Sequence, residues 1–404
     1  MSDTLSFTQL IQAPPAAVYA AFTNQAMLTY WLCNNAQITL KKGGPLFLEW
    51  TAESYYAVGE FTDLKPDQLL AFTWRGRGEP DATVVRVALS ATPEGTQVTL
   101  THSGLGVGSA WDDMRAGVQE GWASGLANLK TVLETGLDDR YYRRPFLGIY
   151  LAGTISAEEA AVLRLPIAGG IRINGAAPDT GAAEAGLQTG DILLALDEAP
   201  LTDYTALRAS LGNHRAGDVV NLRLFRDGAA QTQPMRLSQR AILEIPDTPT
   251  ALADAVRQRY DELDAQLDAL VADVSEADAI FQAAPDQWSA KDILAHLITA
   301  ERGLQMAAAS SCDHQILLGW PDNPAAWNAA LTGTYAFAQM VQVWKQAESE
   351  SVSMLRALPD DLVARKVEYR GMAERFLHHF PNHTREHLGE MRAAITAARQ
   401  TSSV

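Results

Sequence analysis

Residues Gly371–Gln400 read GMAERFLHHFPNHTREHLGEMRAAITAARQ and contain four of the eight histidines of the chain. Two of them, His383 and His387, are four residues apart, so on a helix their imidazoles lie one turn apart on the same face. Apolar residues continue that face at three- and four-residue steps, namely Phe376, Phe380, Met391 and Ile395. A buried imidazole requires a hydrogen-bond partner or a metal ion. The pattern therefore predicts one helix whose histidines face a protein core.

Three more amphipathic segments precede this helix, after a proline-containing linker at residues 245–249. The first extends from 250 to about 274, the second opens at Ser289, and the third covers about 335–358. Asp292 is placed to complete a capping box with Ser289, and His296 lies on the inward face of this second segment. Four such segments predict an all-α domain over residues 246–400, an up-and-down four-helix bundle.

The motifs WSAKDILAHLITAE on the second segment and NHTREHLGEM on the fourth resemble the DinB/YfiT-like family. The resemblance covers the whole predicted bundle. It implies a divalent metal bound by one histidine of the second helix and an i, i+4 pair of the fourth. Carried over residue by residue, these ligands are His296, His383 and His387. The resemblance also implies either activation of a low-molecular-weight thiol on the metal or metal-assisted hydrolysis.

The spacing supports such a site by a separate argument. Two imidazoles one turn apart can bind the same ion, and a third from a facing helix leaves one or more coordination positions open. Imidazole ligands suit zinc or nickel, with iron and copper as alternatives. The competing interpretation is three core histidines that have hydrogen-bond partners and no metal. We favour the metal.

Other polar residues near the pair are weaker candidates. His379 is left out of the metal shell because Pro381 is expected to break one backbone hydrogen bond and kink the helix before His383. Glu386 and Glu390 are possible acid or base groups, although solvated positions suit them better. His314 lies in the polar segment between the second and third predicted helices, and we predict that it is a loop histidine and not a metal ligand.

Residues 1–137 predict a different fold. A strand and short helical stretches are followed by strand-like segments with Gly-, Pro- and Asp-containing turns, and an amphipathic helix over Trp111–Glu134 closes the region. This order predicts an α+β helix-grip domain. The stretches IQAPPAAVYAAFTN, LTYWL, EGTQVTLTHSG and GWASGLANLKTVLE resemble the START-like (SRPBCC) superfamily, in its activator-of-heat-shock-protein-90-ATPase-like branch.

That second resemblance implies a cavity for a small apolar ligand between the long helix and the sheet. Pockets are lined mostly by apolar and aromatic side chains, and the candidates are Trp31, Trp50, Trp74 and Trp122. The alternative is that these rings are ordinary core aromatics. The glycine-rich stretch 104–108 lacks the βαβ context of a phosphate-binding loop, so we predict a turn into the long helix.

Residues 141–240 contain the stretch AGLQTGDILLALD, preceded by FLGI and followed by an Arg-Asp-Gly hairpin signal at 226–228. This resembles a PDZ domain of the high-temperature-requirement serine protease type, with a β-barrel-like fold. The resemblance implies that a C-terminal or extended peptide adds a strand by β-augmentation. The implied peptide-binding residues are Phe146, Leu147, Gly148 and Ile149, with Leu207 and Leu211 bounding a side-chain pocket.

No Gly-x-Ser-x-Gly turn occurs in the chain, so no serine protease of that kind accompanies the module. A PDZ domain that only spaces and orients its neighbours is therefore the alternative to a peptide-binding one.

Composition limits the classes of partner. A net charge of −16 and a pI near 4.9 oppose nucleic-acid binding, because counterion release requires a basic face. There is no polybasic run, no signal-peptide pattern and no apolar run long enough to span a bilayer. Cys33 and Cys312 lie far apart, which fits a reducing compartment without a disulfide framework. We predict a cytoplasmic protein with no nucleic-acid or membrane partner.

Two classes of function are compatible with this organisation. In the first, the chain binds or senses a small apolar ligand and a peptide, and the bundle is structural or a metal-dependent switch. In the second, it is a metal-dependent enzyme, a thiol transferase or a hydrolase. Two of the three predicted domains are of the binding type, and only the bundle offers catalytic chemistry. We therefore favour a metal-binding, ligand-binding multidomain protein and assign no catalytic residue.

Overall fold

The structure, a computed structural model, describes residues 4–51, 53–212, 214–284, 287–313 and 324–402. Along the chain it contains a seven-stranded sheet with a long helix, a second sheet with short helices, and a helical region. The predicted multidomain class, α+β followed by all-α, is confirmed. His314 lies outside the described residues. Among the helices that are described, none is long and apolar enough to cross a membrane.

The first sheet is antiparallel and has the strand order β1-β7-β6-β5-β4-β3-β2. Its strands are β1 Leu5–Ile11, β2 Asn35–Ile38, β3 Pro45–Trp50, β4 Tyr55–Lys65, β5 Leu69–Gly76, β6 Thr83–Thr92 and β7 Gly95–Ser103. In β7 every second residue is buried, which is the pattern of a sheet that packs one face against a core.

The helices of this region are α1 Pro15–Thr23, α2 Gln25–Trp31, α3 Ser109–Thr135 and α4 Asp139–Tyr142. Helix α3 packs on the sheet, because Trp122, Leu126 and Leu129 belong to the same buried cluster as the inward side chains of β6 and β7. It ends at Gly136, whose φ of 76° is a left-handed conformation that favours glycine at a helix C-terminus. This is the predicted helix-grip arrangement.

The second sheet has the order β13-β12-β10-β9-β8, with β11 beside β10. Its strands are β8 Ile149–Ile155, β9 Gly170–Ala176, β10 Thr189–Leu196, β11 Ala199–Pro200, β12 Val219–Arg226 and β13 Ala229–Arg236, and its helices are α5 Ala157–Leu163, α6 Gly181–Glu184 and α7 Tyr204–Leu211. The predicted hairpin joins β12 to β13, and Asp227 and Gly228 both have positive φ, as a tight two-residue turn requires.

The two ends of this second sheet domain lie side by side. The backbone N–H of Phe146 donates to the carbonyl of Ser238, the Ser238 N–H donates to the carbonyl of Phe146, and both distances are 2.8 Å. The pair forms an isolated antiparallel bridge. The chain therefore enters and leaves the domain at the same place.

The helical region consists of α8 Pro249–Val271, α9 Glu276–Ile280, α10 Ala290–Cys312, α11 Ala325–Thr334, α12 Phe337–Arg356, α13 Asp360–Ala364, α14 Lys366–Glu374 and α15 Phe380–Ser402. The long helices α8, α10, α12 and α15 correspond to the four predicted ones, and their apolar faces meet in two buried clusters. The predicted capping box of Ser289 and Asp292 is present at the start of α10. The short helices α9, α11 and α13 are not predicted from the sequence.

The fourth segment differs from the single helix that the sequence predicts. It begins at Lys366, and a π-helical turn at Arg375–His379 separates α14 from α15. There the N–H of Phe380 donates to the carbonyl of Arg375, five residues back. Pro381 has no N–H and cannot continue an unbroken α-helical ladder, and the π turn is where the chain accommodates it.

Candidate metal centre

Three histidines converge between two helices of the bundle. His296 comes from α10, and His383 and His387 come from α15. The Nε2 atom of His383 lies 3.2 Å from Nε2 of His296 and 3.1 Å from Nε2 of His387. One nitrogen from each ring lies within 4.8 Å of the others. His296 is buried, and the pair on α15 is half-buried. The structure thus brings together the three residues that the sequence nominates.

Hydrogen bonding among the rings cannot satisfy this arrangement. A ring nitrogen offers either one N–H or one lone pair, so His383 can accept from only one of its two neighbours. A cation would accept all three lone pairs. Two nitrogens bound to one zinc at about 2.1 Å with tetrahedral angles are about 3.3–3.4 Å apart, close to the two separations observed. The three imidazole donors and these two separations therefore fit ligands of one divalent metal ion.

The surroundings favour neutral, oriented ligands. Burial, and then the neighbouring His387, lower the pKa of His383 below its usual value, which keeps its lone pair available. His387 donates from Nδ1 to the carboxylate of Glu390 over 2.8 Å. Such a contact fixes the ring and leaves Nε2 free to bind metal. Glu390 is largely exposed, as the sequence predicts, and its carboxylate orients the His387 ring.

The indole of Trp288 forms a wall beside the histidines. Its ring centre lies 5.1 Å from that of His296 and 6.0 Å from that of His387, nearly parallel to the latter. Trp288 is 37% exposed, so part of this residue is accessible to solvent. Trp288 is not among the site residues predicted from the sequence, although it is the first residue of the motif that carries His296. His379 lies on the π turn, is exposed, and is not part of the cluster.

In the N-terminal domain, three of the four nominated tryptophans form a chain of ring contacts. Trp74 lies 5.9 Å from Trp50 and 5.7 Å from Trp122, measured between ring centres. Trp31 packs instead on Phe22, at 4.9 Å. The indole N–H groups have acceptors: the carbonyls of Ala21 and Leu32, the carboxylate of Glu79, and His102. A ligand cavity at these rings stays a prediction.

His102 is buried beside these rings. It is not among the site residues predicted from the sequence. Nδ1 of His102 accepts from Trp122 over 3.1 Å, and its Nε2 lies 2.6 Å from the hydroxyl of Thr83. Burial lowers the pKa of His102 to about 4, so the ring is neutral at physiological pH. Since both nitrogens are engaged, His102 organises the core and has no lone pair left for a metal.

The predicted peptide-binding loop begins with residues committed to the fold. The Phe146 N–H is used by Ser238, and Leu147 is buried in the core of the domain. Gly148 has φ +79°, and a Cβ there would lie 2.3 Å from side-chain atoms of Thr180. Ile149 begins β8, an edge strand that pairs only with β9 among the strands the structure describes.

Family models match three consecutive regions. The model described as Activator of Hsp90 ATPase homolog 1-like protein matches residues 12–134, the PDZ domain model matches 145–236, and the DinB superfamily model matches 236–391. The chain joins an AHSA1 domain, a PDZ domain and a DinB domain.

Curated relatives and solved structures each match one part of the chain. Serine protease Do-like HtrA of Lactococcus lactis subsp. cremoris is 30% identical over 118 residues, which are 28% of this chain and 28% of the protease. Periplasmic serine endoprotease DegP of Salmonella typhimurium is 31% identical over 97 residues, 24% of this chain and 20% of the protease. The chain thus spans less than a third of the length of either protease. The Aha1 dimer of Colwellia psychrerythraea is 22% identical and covers 32% of this chain and 96% of its own, with a TM-score of 0.30.

A second polar cluster lies inside the DinB domain, and the sequence pattern does not predict it. Glu301 of α10 and Glu348 of α12 are fully buried. Glu301 accepts from the hydroxyls of Tyr260, at 2.8 Å, and Ser351. Neither oxygen of Glu348 accepts a hydrogen bond within the described part of the chain, and the nearest guanidinium, Arg257, is 4.0 Å away.

The charge states of these two carboxyls follow from their burial. Burial raises the pKa of Glu301 to about 7. For Glu348, burial and then the negative charge of Asp264 raise the pKa to about 10. Glu348 is therefore protonated at neutral pH, and its one proton can be donated to Asp264.

Proposed function

We propose that this chain is a metal-binding, ligand-binding protein with three functional regions. These regions comprise residues 1–137, 141–240 and 246–400. The DinB domain holds one divalent ion through His296, His383 and His387. The PDZ domain binds a peptide, and the AHSA1 domain accommodates a small apolar ligand. The observation that carries the proposal is the convergence of three imidazoles: Nε2 of His383 lies 3.2 Å from that of His296 and 3.1 Å from that of His387, and one nitrogen of each ring lies within 4.8 Å of the others.

The proposed ion is zinc or nickel, since imidazole is a good ligand for both. Three protein ligands leave at least one coordination position open, and a metal in such a position can lower the pKa of a bound water or thiol. The half-exposed position of Trp288 beside the cluster favours an accessible ion. On that basis a metal-dependent enzyme, a thiol transferase or a hydrolase, is the second candidate function.

The metal is expected to bind at one ion per chain at pH 7.5 and to be released as the pH falls below about 6, because protonated imidazole cannot act as a ligand. The measurement is elemental analysis of protein purified without an affinity tag, followed by equilibration at stepped pH values. Substoichiometric metal at pH 7.5 would refute the site. Full occupancy at pH 5 would show that ligands other than histidine dominate.

For the PDZ domain, the free edge of β8 supports strand addition by a peptide. The Phe146 N–H is already used, so we assign the terminal carboxylate to the N–H groups of Leu147, Gly148 and Ile149. Ile149 also shares an apolar cluster with Leu207 and Leu211 of α7. A peptide with an apolar C-terminal residue would extend this cluster.

We expect the full chain to bind peptides with a free C-terminal carboxylate and not the same peptides as C-terminal amides. Gly148→Ala should weaken binding by about tenfold or more, because the new methyl group meets Thr180 in a left-handed backbone conformation. Gly228→Ala is the matched control: its φ of +80° is close to that of Gly148, a Cβ there meets nothing within 4 Å, and it lies in the β12–β13 turn at the opposite edge of the sheet from β8. A C-terminal peptide array gives the measurement. A uniformly blank array would identify the domain as a spacer.

A further inference from the structure

The helix segment that leads to His383 and His387 begins on the surface of the AHSA1 domain. Val367, near the start of α14, is buried within the core cluster of that domain. The carbonyl of Lys366 lies 2.6 Å from the place where a Cβ on Gly136 would stand, so only glycine permits this approach. The Lys366 ammonium donates to the carbonyl of Glu134 over 2.5 Å, at the C-terminal end of α3. Helix α14 is therefore docked on α3.

The far end of α14 is fixed by a second set of contacts. The hydroxyl of Tyr142 donates to the Glu374 carboxylate, whose oxygens lie 2.6 and 2.7 Å away. Arg370 reaches the same carboxylate at 3.1 Å and the carbonyl of Leu243 at 3.0 Å. Burial, and then the bond to Glu374, raise the pKa of Tyr142 well above its usual range, so this hydroxyl is protonated at neutral pH and donates to the carboxylate.

The π turn follows Glu374 directly, and His383 comes four residues after the turn ends. A π turn contains one residue more than an α turn would, and each residue of a helix rotates the following side chains by about 100°. The direction in which the His383 and His387 imidazoles point therefore depends on how the turn is held. Its N-terminal end is held by Tyr142, which lies on α4 just after the AHSA1 domain, and by the contacts of α14 with that domain. Its C-terminal end is held by the packing of α15 in the bundle.

We propose that the docking of α14 on the AHSA1 domain positions His383 and His387, so that the metal affinity of the DinB domain depends on this contact. Tyr142 and Glu374 are then positioning residues that act through the π turn, and they do not touch the metal. The AHSA1 domain thus acts as a structural partner of the metal centre within the same chain. The inference rests on the proposed metal site.

Tyr142→Phe tests the proposal in the full-length chain, because it deletes one hydroxyl and keeps the ring. We expect the apparent zinc affinity, measured by competition with a chromophoric chelator, to fall by about tenfold. The visible absorption of the cobalt-substituted protein should also change, since it reports the ligand geometry. Tyr141→Phe is the matched control: it removes the neighbouring hydroxyl, which meets Arg240 and not the bundle.

A second pair of variants addresses the docking surface itself. Gly136→Ala, at the C-terminal end of α3, should separate α3 from α14 and lower the zinc affinity. Gly121→Ala, within α3, should leave the zinc affinity unchanged, because a Cβ at this position meets no atom within 4 Å. Wild-type affinity and an unchanged cobalt spectrum in both Tyr142→Phe and Gly136→Ala would overturn the proposal. Absence of zinc binding by the wild-type chain would refute the metal site itself, which separates the two failures.

Discussion

Replacing His383 by Ala is expected to abolish stoichiometric metal binding. Its Nε2 atom lies within 3.2 Å of the Nε2 atoms of both other histidines, so the substitution removes the ligand that lies between the other two. Loss of an outer hydrogen-bond partner of a ligand typically costs about 10–100-fold in metal affinity. Loss of the ligand itself should exceed about a hundredfold. The measurement is chelator competition together with elemental analysis of tag-free protein.

His379→Ala is the control for this substitution. It also removes an imidazole from the fourth segment of the bundle, but His379 is exposed and outside the cluster. It should retain one ion per chain. Thermal unfolding of both variants in the presence of EDTA would show whether either change destabilises the metal-free fold. If His383→Ala keeps wild-type metal content, the three histidines are core residues, and the enzyme function loses its basis as well.

The second large effect is expected from Glu348→Gln, which should stabilise the protein. A carboxyl whose pKa is raised to about 10 by burial contributes most to folding below its unfolded pKa near 4.5. That contribution is lost as the pH rises from there to about 10. At pH 7 the fold therefore bears the cost of keeping Glu348 protonated, up to about 3 kcal/mol. Glutamine is neutral, nearly the same shape, and can donate to Asp264.

Thermal unfolding between pH 6 and 9.5, with EDTA present, measures this effect. The wild-type chain should lose stability as the pH rises, and Glu348→Gln should show a higher transition temperature and a flatter profile. Glu350→Gln is the matched control, since Glu350 lies on the same helix but is exposed. A Glu348→Gln protein that is less stable than wild type at pH 9 would show that the buried carboxylate is ionised in the fold.

The sequence predicts those features that depend on local pattern. Alternating burial in β7 and the apolar stripes of the long helices follow from residues close together in the chain. The i, i+4 spacing of His383 and His387 is also a local signal. The position of His296 is harder to predict, because no local sequence pattern indicates that it lies near His383. There the resemblance of the WSAKDILAHLITAE motif supplies what periodicity alone does not.

Features that depend on contacts between residues far apart in the chain are not predicted from the sequence. Tyr142 and Glu374 are 232 residues apart, and neither belongs to a recognisable motif. Glu348 looks like one more charged residue on an amphipathic helix until the packing of α8 and α10 buries it. The π turn is signalled only indirectly, since Pro381 indicates an interruption but not its form. In each case the deciding energy is a tertiary one, namely the desolvation of a polar group or the docking of a second domain.

The bridge between Phe146 and Ser238 brings the two ends of the PDZ domain together, so that the domain is attached to the rest of the chain at one place. Hydrogen-bonded partners in an antiparallel pair have Cα atoms about 5.5 Å apart, so a linker of one or two residues could replace everything between them. Tyr142 and Leu243, through which the flanking chain holds α14, lie outside that interval. The PDZ domain can thus be exchanged, lost or acquired without rebuilding the rest of the chain, as domains with adjacent termini generally can.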